Sequence, residues 1–246
     1  MKVVATYNIK GGVGKTSAAV NLAHLAAGDG FRTLLWDLDP QGAASFLFRI
    51  EPRVKGGGRA LVRRDRPLDQ AIKATDYDGL DLIPADFSYR NMDLDLDDQK
   101  RPTGRLRRLL RPMADEYDVV LLDCPPSISL VSESVMGAAD LLLVPLIPST
   151  LSLRTFDQLS TFLDDFDGRR PELLSFFSMV DGRKRLHREV MEDMNPSNGR
   201  VAATRIPALS AIERMAETRT PVTAAAPGSP AGLAYRSLWA EVRATM

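Results

Sequence analysis

The stretch "YNIKGGVGKTS", Tyr7 to Ser17, constrains this chain more than any other. Its end, Gly14-Lys15-Thr16, matches the close of the phosphate-binding pattern G-x-x-x-x-G-K-[ST]. Counting back, the pattern's first glycine falls on Ile9, and a lysine, Lys10, and the pair Gly11-Gly12 follow it. The loop lies between a β-branched apolar run, Val3 to Thr6, and a segment where Val20, Leu22, Ala23, Leu25 and Ala26 recur at helical spacing. Phosphate binding needs that setting. Backbone N–H groups at a helix start surround an anion, the helix dipole adds positive charge, and glycines let the backbone come close. Gly11, Gly12, Val13, Gly14, Lys15, Thr16 and Ser17 are the candidate phosphate-binding residues. Lys15 would neutralise the β- and γ-phosphates, and Thr16 would offer its hydroxyl to Mg²⁺. A glycine turn that only caps a helix is the plainer alternative, but strand, loop, Lys-Thr and apolar helix all occur in the required order.

The rest of the chain continues the same alternation. "GDG", Gly28 to Gly30, stops the first helix, and "RTLLWD" reads as a second buried strand ending at Asp37. Strand, loop, helix and strand form a βαβ unit, which implies a parallel sheet. Further strands are expected at Leu80–Ile83, Val119–Leu122, Leu141–Pro145 and Leu173–Phe177. Helices are expected over Arg105–Met113, Leu130–Ala138, Thr155–Phe166, Leu186–Met194 and Gly232–Arg243. The pattern predicts an α/β fold: a doubly wound, mostly parallel sheet with helices on both faces, in one domain over residues 1–246. Two stretches, Arg53–Pro67 and Arg90–Pro102, read as exposed loops or short helices.

Composition narrows the function classes. Hydrophobic residues make up 44% and charged residues 26%, enough for a real core. Thirty-two basic residues balance 32 acidic ones, so any contact with nucleic acid must come from a local patch. Cys124 is the only cysteine, which excludes an intrachain disulfide framework or a four-cysteine metal site and favours the cytosol. The start, "MKVVATYNIKGG", is too charged for a signal peptide, and no apolar run is long enough to span a membrane.

A phosphate loop with Mg²⁺ also needs a carboxylate at the end of a neighbouring buried strand. "YDVVLLDCPPS" supplies Asp123 after four apolar residues, and Pro125-Pro126 makes a rigid exit. Cys124 beside it reads as a small buried side chain rather than a nucleophile, since neither His24 nor His187 is near in sequence. "WDLDPQG" adds Asp37 and Asp39, one residue apart, so on an extended chain both point to one side. One would touch the metal's shell and the other orient an attacking water; two solvated aspartates in a turn before Pro40 fit the residues as well.

At these motifs the chain resembles the ParA/MinD group of deviant-Walker P-loop ATPases. "KGGVGKTS", "DLDPQGAAS", "VVLLDCPPS" and "LLLVPLIPSTLSLRTFDQL" carry the resemblance, and "TRIPALSAIERMAETRTPV" and "SPAGLAYRSLWAEV" extend it to the end. It implies an ATP- and Mg²⁺-dependent homodimer that sandwiches two nucleotides. Lys10 matches the lysine that reaches the partner's nucleotide, and Lys15 the ordinary loop lysine. Asp39 matches the aspartate that positions the hydrolytic water, and Asp37 and Asp123 the carboxylates near Mg²⁺. Lys10, Lys15 and Asp39 are thus the candidate catalytic residues, with Thr16, Asp37 and Asp123 toward the metal. Gly12 would lie where two loops face each other.

The resemblance also implies a cargo-positioning role, cytoplasmic and nucleoid-associated. ParA-like members bind nonspecific DNA as ATP dimers and release it when a ParB-like or other cargo adaptor stimulates hydrolysis. MinD-like members bind membrane through a C-terminal amphipathic helix. Here "GLAYRSLWAEVRATM" carries Glu241 among few arginines, which favours a helix packed on the body and no membrane. Candidate DNA contacts are Arg183, Lys184, Arg185 and Arg188 in "DGRKRLHRE", then Arg205, Arg214 and Arg219. A solvated helix face is their plain alternative, given Asp181, Glu189, Glu192 and Asp193. The family's arginine after Ile-Pro is replaced by Ala208 and Leu209. A nucleotide-switch adaptor with little turnover, and an iron–sulfur carrier, are the other readings; the single cysteine opposes the latter.

Overall fold

In the computed structural model, which describes residues 1–63, 65, 67–194 and 201–246, the apolar runs become neighbouring strands. They are β1 (Lys2–Thr6), β2 (Thr33–Asp37), β3 (Lys73–Ala74), β4 (Leu80–Ile83), β5 (Val119–Asp123), β6 (Leu141–Leu146), β7 (Glu172–Val180) and β8 (Val201–Pro207). Among the described residues they form one sheet in the order β3-β4-β2-β5-β1-β6-β7-β8. Every pairing is parallel except β3 on β4. The helices are α1 (Lys15–Gly28), α2 (Ala43–Leu47), α3 (Gly57–Arg63), α4 (Met92–Asp97), α5 (Arg105–Leu110), α6 (Leu130–Ala138), α7 (Thr150–Asp164) and α8 (Arg185–Asp193). Four more close the chain: α9 (Ser210–Glu213), α10 (Met215–Thr218), α11 (Val222–Ala225) and α12 (Pro230–Ala244).

The central strands read as unbroken apolar runs because both their faces are buried. Val3, Ala5, Leu34, Trp36, Val120 and Leu122 join one core with residues of α3 to α7. Val4, Leu35, Val119 and Leu121 join the other with α1 and α12. Helix α1 is covered on most sides, so Ala18, Ala19, Val20, Leu22, Ala23 and Ala26 are all buried.

The structure departs from expectation mostly at the edges. Strand β8 interrupts its burial with exposed Ala203 and Arg205, and its backbone is held from the side. The Glu241 carboxylate of α12 accepts from Ala203 N at 2.7 Å and Thr204 N at 2.8 Å. Strand β3 is two exposed residues, too short for a period. Helix α7 starts at Thr150, ahead of the expected Thr155, because Ser149 Oγ accepts from Ser152 N and caps it. Helix α5 stops at Leu110 and tightens into a 3₁₀ turn containing Pro112. Arg53–Pro67 and Arg90–Pro102 contain α3 and α4, with Arg64 and Arg66 outside the described residues.

Strand β1 lies between β5 and β6, and β2 beyond β5, so the loop after β1 leaves a switch point of the sheet. Thr6 is in register with Asp123, and Asp123 with Asp37. Three carboxyl-end residues therefore stand in one row beside that loop. Helix α12 packs on the body as expected, burying Tyr235, Leu238, Trp239 and Val242. No helix among the described residues is long and apolar enough to cross a membrane.

Candidate functional site

The loop from Asn8 to Gly14 is built by side chains as well as by its glycines. Asn8 Nδ2 donates to Pro145 O at 2.8 Å, and its Oδ1 accepts from Lys10 N at 2.9 Å. This ties the loop entrance to the end of β6. Gly14, the N-cap of α1, has φ 96°, and a Cβ there would stand 2.8 Å from Ser178 Oγ on β7. Glycine is required at that position twice over, by dihedral and by space. No side chain caps α1, so its first-turn N–H groups are left for a ligand.

The two lysines of the loop differ sharply. Lys15 is 7% exposed, and its Nζ donates to Lys10 O at 3.0 Å. Burial holds its ammonium below the usual range, against the pull of Asp123. Lys10 is exposed, as are Gly11 and Gly12. Gly12 has φ 70°, and a Cβ there would meet nothing within 4 Å. The chain thus leaves open space at Gly12.

Asp37 and Asp123 are fully buried. Asp37 Oδ2 accepts from Ser45 N and Ser45 Oγ, both at 2.8 Å, and its Oδ1 accepts from Asp39 N at 3.3 Å. Burial still pushes its carboxyl up to about 6. Asp123 Oδ1 accepts from Thr6 Oγ1 at 3.5 Å, and Oδ2 has no hydrogen-bond partner among the described residues. Burial, with Asp37 adding to it, raises Asp123 well above the carboxylate range, and the nearby Thr16 hydroxyl pulls the other way. Asp39 is half-buried, with Oδ1 accepting from Gln41 N at 3.0 Å. Cys124 is buried, its Sγ donating to Leu122 O at 3.7 Å, and burial pushes its thiol up, so it is no nucleophile.

These residues fit a magnesium nucleotide. An orphaned, buried carboxylate oxygen faces a buried lysine and a free helix start, and a cation between phosphate and Asp123 would resolve all three. Among the described residues no group of three or more His, Cys, Asp or Glu could hold a metal. Sequence reasoning missed Asn8, Ser45 and Ser178. Ser45 lies eight residues beyond Asp37, inside "DLDPQGAAS", and is the one with a local signal.

Comparison with known proteins gives the family. The family model for an AAA domain matches residues 1–175. The Chromosome partitioning protein ParA of Myxococcus xanthus is 35% identical over 198 residues, covering 78% of this chain and 70% of its own. The chain belongs to the ParA/MinD family of P-loop ATPases. Two solved structures share the fold. A putative plasmid partition protein from Borrelia burgdorferi bound to AMPPNP superposes with TM-score 0.87 at 20% identity, covering 100% of this chain and 99% of that one. Cobyrinic acid a,c-diamide synthase from Mycobacterium smegmatis, with bound ATP analog and magnesium, superposes with TM-score 0.82 at 26% identity, over 98% and 93%.

The basic candidates are scattered by comparison. Arg183 is chelated by Asp181, with Nε to Oδ1 at 3.0 Å and Nη2 to Oδ2 at 3.1 Å. Arg185 Nε donates to Glu189 Oε1 at 2.6 Å, and Arg188 Nη1 to Gly182 O at 2.8 Å. Lys184 is exposed at the N-cap of α8. Arg205 is exposed on β8, whose end lies beside the loop into α8 because Ala208 N donates to Val180 O at 2.9 Å. Arg214 is exposed between α9 and α10, whereas Arg219 is half-buried against Phe46 of α2.

Proposed function

We propose that residues 1–246 act as one ParA-type Mg-ATPase domain, which forms an ATP-sandwich homodimer, binds nonspecific nucleoid DNA and positions an intracellular cargo. A ParB-like or other adaptor on the cargo stimulates a slow hydrolysis, and DNA is then released. The observation that carries this reading is the division of labour between the two lysines. Lys15 is buried facing Asp123, while Lys10 is exposed beside the open Gly12.

In this reading Gly11 to Ser17 wrap the phosphates of the protomer's own ATP, and Lys15 exchanges Lys10 O for phosphate oxygens. Thr16, Asp37 and Asp123 are the residues that would hold Mg²⁺, which would supply charge neutralisation when bound. Asp39, beyond the buried row, orients the attacking water. Lys10 reaches the partner's nucleotide and stabilises charge on the transferring phosphoryl group, as an arginine finger does. Hydrolysis then requires a second copy.

Lys184, Arg188, Arg205 and Arg214 are the more available DNA contacts, since Arg183 and Arg185 are held by carboxylates. The membrane alternative is disfavoured by α12, whose apolar face is already buried against the body. The experiment is light scattering on the Asp39→Ala protein. With Mg-ATP it should run as a dimer that binds DNA, and with ADP as a monomer that does not. A monomer under both conditions sinks the sandwich, and a dimer without DNA affinity sinks the nucleoid role.

A further inference from the structure

Helix α2 hangs on both aspartates of the site. Its Ser45 donates to Asp37 through N and Oγ, and its start, Gly42, donates from N to Asp39 O at 2.9 Å. Phe46 follows Ser45 and is 47% exposed, unusual for a phenylalanine beside a catalytic turn. The outer side of α2 is not closed by packing. A cleft of about 590 Å³ runs there, lined among others by Gln41, Gly42, Phe46, Pro52, Ala216 and Arg219.

Arg219 spans this cleft. Its guanidinium lies 4.4 Å from the Phe46 ring centroid, and its Nε donates to Phe46 O at 2.8 Å. One side chain thus holds both the ring and the carbonyl, a combination that suits a planar guanidinium. The backbone is strained to deliver it, with Arg219 at φ 49°. Across the seam Arg49, at φ 61°, donates from Nη2 to Thr218 O at 3.3 Å and to Thr220 Oγ1 at 3.2 Å. Two left-handed arginines therefore brace one junction, and such strain persists only where surroundings enforce it. The segment behind Arg219 is anchored to α1. Asn21 Nδ2 donates to Met215 Sδ at 3.2 Å, and Asn21 Oδ1 accepts from Thr223 N and Oγ1, both at 3.0 Å.

We propose that Arg219 is a positioning residue for hydrolysis: by clamping Phe46 to the segment anchored on α1, it fixes α2 and so the aim of Asp39 and Asp37 toward the phosphates bound at α1. This rests on the ATPase reading above and assigns Arg219 to catalysis rather than to DNA. Ala44 and Leu47 share a core with Met215, and the polar clamp adds a constraint at the exposed Phe46, across an open cleft.

The test uses Arg219→Asn, because asparagine tolerates the left-handed backbone and removes the guanidinium. Amide hydrogen exchange in the nucleotide-free protein should quicken across residues 39–48 and stay unchanged in the strands. At saturating Mg-ATP, kcat should fall about five- to tenfold, with KM and nucleotide Kd within about twofold of wild type. Arg219→Lys, which keeps charge without the planar fork, should fall between. Phe46→Leu added to Arg219→Asn should cost little more than either alone. Unchanged exchange, or a kcat equal to that of an active wild type, overturns this inference alone. A wild type without turnover in the presence of DNA and adaptor overturns the ATPase reading and this inference together.

Discussion

At the carboxyl ends of β1, β2 and β5 charge is buried and short of partners; at the start of α8 it is exposed and largely paired. Asp37 and Asp123 are fully buried and Lys15 nearly so, yet one oxygen of Asp123 is unbonded among the described residues. Arg183 and Arg185, by contrast, are solvated and already neutralised by Asp181 and Glu189. Burial makes the first region costly until a ligand of matching charge arrives, which is the mark of a preorganised site. Exposure makes each pair in the second worth little, so a polyanion could displace the carboxylates, and the DNA binding proposed there would be broad and salt-sensitive.

The contrast can be broken at its strongest point first. Lys10→Ala should lower turnover about a thousandfold if it acts as a finger in trans, while ADP binding by the monomer stays unchanged. A wild-type rate removes Lys10 from catalysis. Lys15→Ala should weaken ATP binding about a hundredfold, through loss of a buried, charge-assisted phosphate contact. Calorimetry showing retained affinity would overturn the phosphate-loop assignment.

On the α8 side, Lys184→Gln with Arg188→Gln should reduce the slope of log K against log salt for DNA by about two, with no change in ATP affinity. Arg183→Gln should do less, since Asp181 already holds that guanidinium. An equal loss from Arg183 would mean that the pair opens at no cost, and the contrast between the regions would blur.

The smallest effect concerns stability and pH. The Asp37 carboxyl is pushed by burial up to about 6, from the model-peptide value of 3.8. The folded protein thus binds this proton more tightly than the unfolded chain. The stability it contributes is present at low pH and is lost as pH rises from about 4 to about 6. Asp37→Asn should therefore stabilise the nucleotide-free protein by about 1 kcal/mol above pH 6 and do nothing near pH 4. Melting curves showing equal stability at both pH values would refute the buried-charge account. Mg-ATP should erase the gain by stabilising the wild type.

Helix α1, β1, β2, β5 and the phosphate loop were legible in the sequence because each is a local pattern: an apolar run, a helical period, a glycine motif. Asp37 and Asp123 were legible as strand-end carboxylates and Asp39 as the acid just beyond, although a solvated turn was equally open for Asp37 and Asp39. What was not legible depends on partners far along the chain. Strand β8 shows no clean period and is completed by Glu241 from α12. The constraint on Gly14 comes from Ser178, on a strand far along the chain.

Sequence alone determined that a strand, a glycine loop and a helix would follow one another in the order a phosphate site needs, since dihedral preference, helix dipole and hydrophobic period act over a few residues. Only the tertiary structure decided which charges are spent and which are free. It buried Lys15 and left Lys10 outside, although only four residues lie between them. It paired Arg183 with Asp181 and folded Arg219 onto Phe46. Burial and pairing are set by what packs around a side chain, and that neighbour comes from the same loop for Arg183 but from a distant element for Arg219.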